Sequence, residues 1–335
     1  MTLTKRMISF GVLFSMTLMA VNGYAAKVMP FQSPIAEESF QTILVNRALA
    51  ELGHEVQPIN EVDYAIGYKT IAQKTDDDTI RFMAVNWAPL HENMYQRAGG
   101  DAVFYRKGYF VEGCAQGYLI DKKTANQYGI RYLNDLKDPK IAKLFDNDGD
   151  GKANLAGCNP GWGCEKVIEH QLDAFDLRKT IEHDQGQYSA IISQTIGQFE
   201  RGEPVLYYTW TPYWVSGIMK PGRDVVWLEV TQSAHPVTQN TALSNGKNYG
   251  FNVNSMRIVA NGSVAEQHPE VARLFEVMSL SVNDVSAQNS LVREGQNSLK
   301  DINRHVDMWI HAHQDQFNDW VKQAKAIQPN NMKKI

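Results

Sequence analysis

Apolar positions along this chain change period several times, and each change predicts an element. Residues 42–53 carry apolar side chains at helical spacing and stop at Gly53, so they predict an amphipathic helix with a glycine end. Residues 81–87, 116–120 and 225–230 read as strands, and residues 205–210 as a denser apolar and aromatic strand behind Pro204. Near the C-terminus, residues 269–278 predict a helix. Residues 301–326 predict a long amphipathic one through Val306, Trp309, Ile310, Phe317, Trp320 and Val321. The polar stretch 233–247, with Pro236, Asn245 and Gly246, reads as a surface loop.

Strands alternating with helices imply an α/β layout. At 335 residues the chain has room for two units of about 150 residues each. It carries no repeat, low-complexity run or linker between its halves, which predicts two lobes joined by chain crossings inside strands rather than beads on a string. The crossings are expected near residues 112 and 230. This assigns 26–112 plus 231–335 to one lobe and 113–230 to the other.

The N-terminus differs in kind. Lys5 and Arg6 precede an apolar run over residues 7–21, and Gly23-Tyr24-Ala25 puts small residues where a signal peptidase reads. Residues 1–25 are therefore expected to be a cleaved secretory signal, with the mature chain starting near Ala26. The run is short for a membrane span, which needs roughly 20 apolar residues. No Cys follows it to carry a lipid anchor.

Composition narrows the function classes. A chain 43% hydrophobic and 21% charged is globular, and a formal charge of −4 with scattered Lys and Arg gives no basic footprint for nucleic acid. Phosphate-binding glycine loops and the G-x-S-x-G elbow are absent from the sequence. His91-Glu92 begins like a zinc-protease helix, but Tyr95 stands where the second His belongs. His305, His311 and His313 read as the polar side of the last helix. Asp146, Asp148 and Asp150, with Gly151, match the first half of a calcium loop, yet Gly157 stands in place of the bidentate Glu at position 12. A structural turn is expected there, with weak calcium binding as the alternative.

Export bears on the three cysteines, because an oxidising compartment lets a disulfide persist. The turn residues Asn159-Pro160-Gly161 favour pairing Cys158 with Cys164, which would fix the shape of a flexible loop. Cys114 is then expected to be a small buried residue, with misoxidation onto the pair as the risk if it is not.

The most informative feature is where the tryptophans fall. Trp87 and Trp210 sit at the ends of predicted strands, and Trp162 stands between two glycines in the Cys158 to Cys164 loop. Strand ends of open α/β sheets are where ligands dock. Three indole faces suit a quaternary ammonium, whose charge is spread over methyl groups and donates no hydrogen bonds. For any one of these residues, or for Trp214 and Trp227, ordinary core packing remains the competing reading.

Four segments then carry a resemblance. They are Asn86-Trp87-Ala88-Pro89-Leu90-His91, the stretch from Gly157 to Glu165, the run Tyr207-Tyr208-Thr209-Trp210-Thr211-Pro212-Tyr213-Trp214 and Asp224-Val225-Val226-Trp227. Together they resemble the periplasmic glycine betaine-binding proteins of ProU-type ABC transporters. The resemblance covers nearly the whole mature chain. It implies a two-lobed periplasmic substrate-binding protein of type II-like α/β fold with the ligand cleft between its lobes. Such a protein is a monomer without cofactor or enzymatic activity, which takes glycine betaine or proline betaine to an ABC permease and its ATPase. Carried over by position, Trp87, Trp162 and Trp210 would box the trimethylammonium group. His91 and the backbone N–H groups of Gly163 and Cys164 would hold the carboxylate, with the Cys158–Cys164 disulfide supporting that loop. Cys114 departs from the family pattern, where a small apolar residue is expected. Rival readings keep the fold with choline, carnitine or ectoine as ligand, make His91 the base of a hydrolase, or make the acidic turn a calcium-dependent scaffold.

Overall fold

The computed structural model describes residues 25–74 and 78–327. The expected signal segment lies outside the described residues, apart from Ala25. The core is organised around two sheets, and helices cover both.

In the first sheet, β1 (Lys27–Gln32) is flanked on one side by the short strands β2 (Glu55–Val56) and β3 (Asn60–Glu61), and on the other by β4 (Thr79–Ala88). Beyond β4 lies β12 (Asn254–Asn261), which pairs with β5 (Phe104–Tyr105) and β6 (Val111–Cys114). Strands β1 and β4 are parallel, while β12 returns from the other half of the chain to lie antiparallel to β4, with Met256 opposite Trp87. The central β4 is buried along nearly its whole length, which is why Phe82, Met83, Ala84 and Val85 follow one another without polar alternation. The second sheet has the order β11 (Val225–Trp227), β7 (Gln116–Asp121), β10 (Leu206–Trp210), β8 (Ala153–Ala156), β9 (Ile181–Asp184). This is a two-lobed α/β fold.

The chain leaves the first sheet at Cys114 and enters the second at Gln116. After β11 it stays with the second sheet: Leu228 donates its N–H to the Tyr118 carbonyl, Val230 to the Asn248 carbonyl, and the Phe251 ring lies 5.3 Å from Tyr118. It rejoins the first sheet at Asn254.

The predicted helix over 42–53 forms as Ser39–Glu51, burying Phe40, Ile43, Leu44, Ala48 and Leu49 against the first sheet. The expected strand 225–230 stops at Trp227. The expected single helix over 301–326 is two helices, Leu299–Ala312 and Gln314–Lys325, broken at His313 (φ −123°, ψ 34°). Aromatic packing explains the break. Trp320 stacks on Trp309 with centroids 5.6 Å apart, and His313 stacks on the same ring at 4.4 Å. An unbroken helix would hold residues 309 and 320 roughly 16 Å apart. His305 also differs from expectation. It is 3% exposed and its Nδ1 meets the Gln288 amide at 2.8 Å, so it belongs to the interior and not to the solvated face.

Candidate functional site

The ends of β4 and β10 face each other across the gap between the sheets. Trp87 lies near the carboxyl end of β4 and Trp210 at the carboxyl end of β10. Each strand ends at a cis X-Pro peptide, Ala88-Pro89 and Thr211-Pro212. The third tryptophan, Trp162, is the residue immediately before the helix Gly163–Ala174. All three line one cavity, and His91, Gly163 and Cys164 line it as well. The six residues singled out as a ligand set are thus brought together.

Two of the indoles are in contact. Trp162 and Trp210 meet at 5.9 Å and 73°, edge to face, and Tyr213 lies 4.3 Å from Trp210. Tyr188 packs behind both indoles, 4.7 Å from Trp210 and 6.3 Å from Trp162. Its hydroxyl donates to the Tyr208 carbonyl at 2.8 Å, which locks the ring as a support. Such ring faces present the negative part of the aromatic quadrupole to the cavity.

Directly after Trp162 a helix starts. Gly163 and Cys164 open a 12-residue helix, and the N–H groups of a first turn have no carbonyl partner within their own helix. Together with the helix dipole they form an anion-binding end. The loop before it is held by the Cys158–Cys164 disulfide, by the Asn159 side chain accepting from Tyr188 N at 2.7 Å, and by Gly161 in a left-handed conformation (φ 86°). Gly163 is demanded by space. A Cβ there would lie 2.7 Å from the Leu90 carbonyl oxygen and side chain, which come from the other side of the cleft.

His91 sits in the turn after β4, 2% exposed, with the Tyr64 ring 4.2 Å away. Its Nδ1 lies 2.9 Å from the Tyr68 hydroxyl and receives the Trp87 backbone N–H at 3.4 Å. Burial lowers its pKa to about 3, so the imidazole is neutral at physiological pH.

Sequence reading missed the acidic part of the wall. Glu37 and Glu38, just before the helix Ser39–Glu51, both line the cavity. Glu38 is buried, accepts from the Tyr64 hydroxyl and from Ser33 N, and burial pushes its pKa up to about 7. Glu37 accepts from the Trp214 indole N–H at 2.8 Å, and its pKa is also raised by burial. Two adjacent acids ahead of a helix look like ordinary first-turn residues. Nothing in the sequence says that the helix start faces the cleft. Tyr64 and Asn289, also in the wall, had no signal beyond their residue type, and Tyr213 had only its place in the run from Tyr207 to Trp214.

The remaining candidates lie elsewhere. Asp146, Asp148 and Asp150 group their carboxylates within 4.8 Å of one another, but none of them lines the cavity. Asp146 spends both oxygens on the N–H groups of Gly149 and Gly151, at 2.7 and 3.0 Å, which is the bonding of a self-held turn. Cys114 is fully buried and its thiol pKa is raised to about 12, which keeps it from thiolate chemistry with the disulfide.

Two lobes with an aromatic cavity and a helix N-terminus between them define a substrate-binding protein that holds a small ligand in its cleft. The family model for OpuAC, the substrate binding domain of ABC-type glycine betaine transport systems, matches residues 27–312, and the chain belongs to that family. It is 56% identical to the glycine betaine/proline betaine-binding periplasmic protein of Escherichia coli over 324 residues, 96% of this chain and 97% of the relative. Its identity to the protein of the same description from Salmonella typhimurium is also 56%, over 322 residues, 93% of this chain and 96% of the relative. Among solved structures, lactococcal OpuAC in its closed conformation with glycine betaine aligns with a TM-score of 0.66 at 18% identity, covering 88% of this chain and 99% of that one. A choline binding protein in complex with choline aligns with a TM-score of 0.67 at 17% identity, covering 90% and 97%. At such identities the two structures share the fold.

Proposed function

We propose that this chain is a periplasmic receptor that closes on glycine betaine or proline betaine and delivers it to an ABC permease driven by its ATPase. The observation that carries the reading is the convergence of Trp87, Trp162 and Trp210 from three separate elements onto one cavity that a helix N-terminus also lines. On this reading the indoles hold the trimethylammonium group. The N–H groups of Gly163 and Cys164, with the neutral His91 side chain, hold the carboxylate. Nothing covalent happens: binding and release are the whole of the chemistry, and the protein works as a monomer after its signal segment is removed. Residues 26–114 and 253–335 form one lobe and 115–252 the other. The contacts of residues 228–251 with the second sheet support a return crossing near 252 in place of the one expected near 230.

Titration calorimetry of the mature protein with glycine betaine, proline betaine, choline and carnitine tests this. Heat is expected with the first two. Trp162→Ala should weaken binding about tenfold or more, since one desolvated cation–π face contributes roughly 1–2 kcal/mol. Choline bound as tightly as glycine betaine would overturn the carboxylate half of the reading.

A further inference from the structure

A chain of four hydrogen-bonding groups runs behind the cavity and ends on His91. Arg106 Nη1 lies 3.3 Å from Asn86 Oδ1 and 3.0 Å from a Glu92 carboxylate oxygen, with its guanidinium 3.6 Å over the Tyr95 ring. Asn86 Nδ2 lies 2.7 Å from the Tyr68 hydroxyl oxygen, and that oxygen lies 2.9 Å from His91 Nδ1. Asn86 and Tyr68 are fully buried. The polarity of the chain follows from chemistry alone. A guanidinium has donors and no acceptor, so the Asn86 carbonyl oxygen must face it. The Asn86 NH₂ therefore faces Tyr68, whose oxygen accepts, and the single hydroxyl hydrogen is left to point at His91 Nδ1. The backbone N–H of Trp87 reaches the same nitrogen at 3.4 Å and has no freedom to turn away. Two donors aimed at one ring nitrogen require it to be bare. A neutral imidazole then carries its hydrogen on Nε2, which has no partner among the described residues.

We propose that Tyr68, oriented by Asn86 and Arg106, is a positioning residue that fixes His91 in the Nε2–H tautomer, so that a permanent neutral donor faces the cavity. The opposite tautomer would turn a lone pair toward an anionic ligand group. An acceptor there repels a carboxylate, so the relay sets which ligand end the histidine tolerates without introducing a charge. The consequence for affinity rests on the carboxylate reading given above, whereas the tautomer does not depend on any ligand.

The test is nitrogen NMR of ¹⁵N-histidine-labelled, ligand-free mature protein, with the His91 signals assigned by their loss in His91→Gln. Nδ1 is expected at the unprotonated, pyridine-type shift and Nε2 at the protonated, pyrrole-type shift. The reverse pattern overturns the proposal whatever the protein binds. Asn86→Asp is nearly isosteric, and its new carboxylate would take the Tyr68 hydroxyl hydrogen away from His91. It should produce a mixture of tautomers and about fivefold weaker glycine betaine binding, the loss of about one hydrogen bond. Tyr68→Phe removes the hydroxyl altogether and leaves Nδ1 facing only the Trp87 N–H, so that variant keeps the Nε2–H tautomer. An unshifted tautomer in folded Asn86→Asp overturns the positioning role. A shifted tautomer in a protein that never binds glycine betaine upholds the relay and removes only the ligand reading.

Discussion

Gly163 shows how much a single position decides. Its missing Cβ lets the Leu90 backbone from the facing lobe come within contact of the helix start. Adding that carbon in Gly163→Ala forces the two sides apart where the carboxylate is expected. Overpacking of this kind costs about 1–3 kcal/mol, so calorimetry should show at least about tenfold weaker binding, while the melting temperature without ligand stays nearly constant. Unchanged affinity would mean that the two sides need not approach this closely. Protonation is also decided residue by residue. Burial raises the Glu38 pKa from 4.5 to about 7, so Glu38 makes stability fall as pH rises through that window. Burial lowers the His91 pKa from 6.5 to about 3, so His91 makes stability rise over that window and fall on acidification. Between pH 4.5 and 6.5 the two oppose each other. Glu38→Gln should therefore leave a steeper rise of unfolding free energy with pH across this range than the parent protein has, as read by denaturant melts at each pH. At this scale the indoles were legible because Trp at strand ends and between glycines has few structural uses. Glu37 and Glu38 were not, because adjacent acids before a helix have many.

Among the elements, the loop 158–164 and the helix it feeds act as one part. The disulfide closes a short ring, worth about 2 kcal/mol on a chain-entropy argument, and it holds the first-turn N–H groups of Gly163–Ala174 in position. Replacing both cysteines, Cys158→Ser with Cys164→Ser, should lower the melting temperature by a few degrees. It should weaken ligand binding more than the stability loss alone requires, because the freed loop carries both Trp162 and the amides. Calorimetry and thermal melts of the same sample separate the two effects, and equal affinity would deny the loop its positioning role. The pairing itself was legible from Asn159-Pro160-Gly161. The break at His313 was not: local periodicity through residues 301–326 is unbroken, and the bend comes from Trp309 and Trp320 seeking each other.

For the molecule as a whole, the question is what joins the lobes. Across the gap between the sheets, Glu37 accepts from Trp214 Nε1, Asn289 donates to the Pro212 carbonyl at 3.1 Å, and Arg293 lies 5.1 Å over the Trp214 ring. Each pair takes one residue from the first-sheet side and one from the second. These contacts exist only while the sides are together, so they favour the closed arrangement and the ligand bound in it. Trp214→Phe removes the indole N–H and leaves the Glu37 carboxylate without that partner. Affinity should fall about fivefold, and the ligand-induced decrease in radius of gyration, followed by small-angle scattering, should need more ligand. A variant with parental affinity would assign closure to the other contacts between the two sides.

Some of this the amino-acid sequence determined by itself. Alternating strand and helix patterns, buried runs such as β4 and β10, and turn chemistry around the cysteines are local, and local spacing is what a linear chain records. The composition of the wall followed too, since three indole faces suit a delocalised cation where they meet. Only the tertiary structure decided that they do meet, which acids join them and which groups surround His91. Those depend on neighbours up to about 180 residues apart, such as Glu37 and Trp214. The burial that shifts Glu38 and His91 is a property of the folded surroundings, not of either residue.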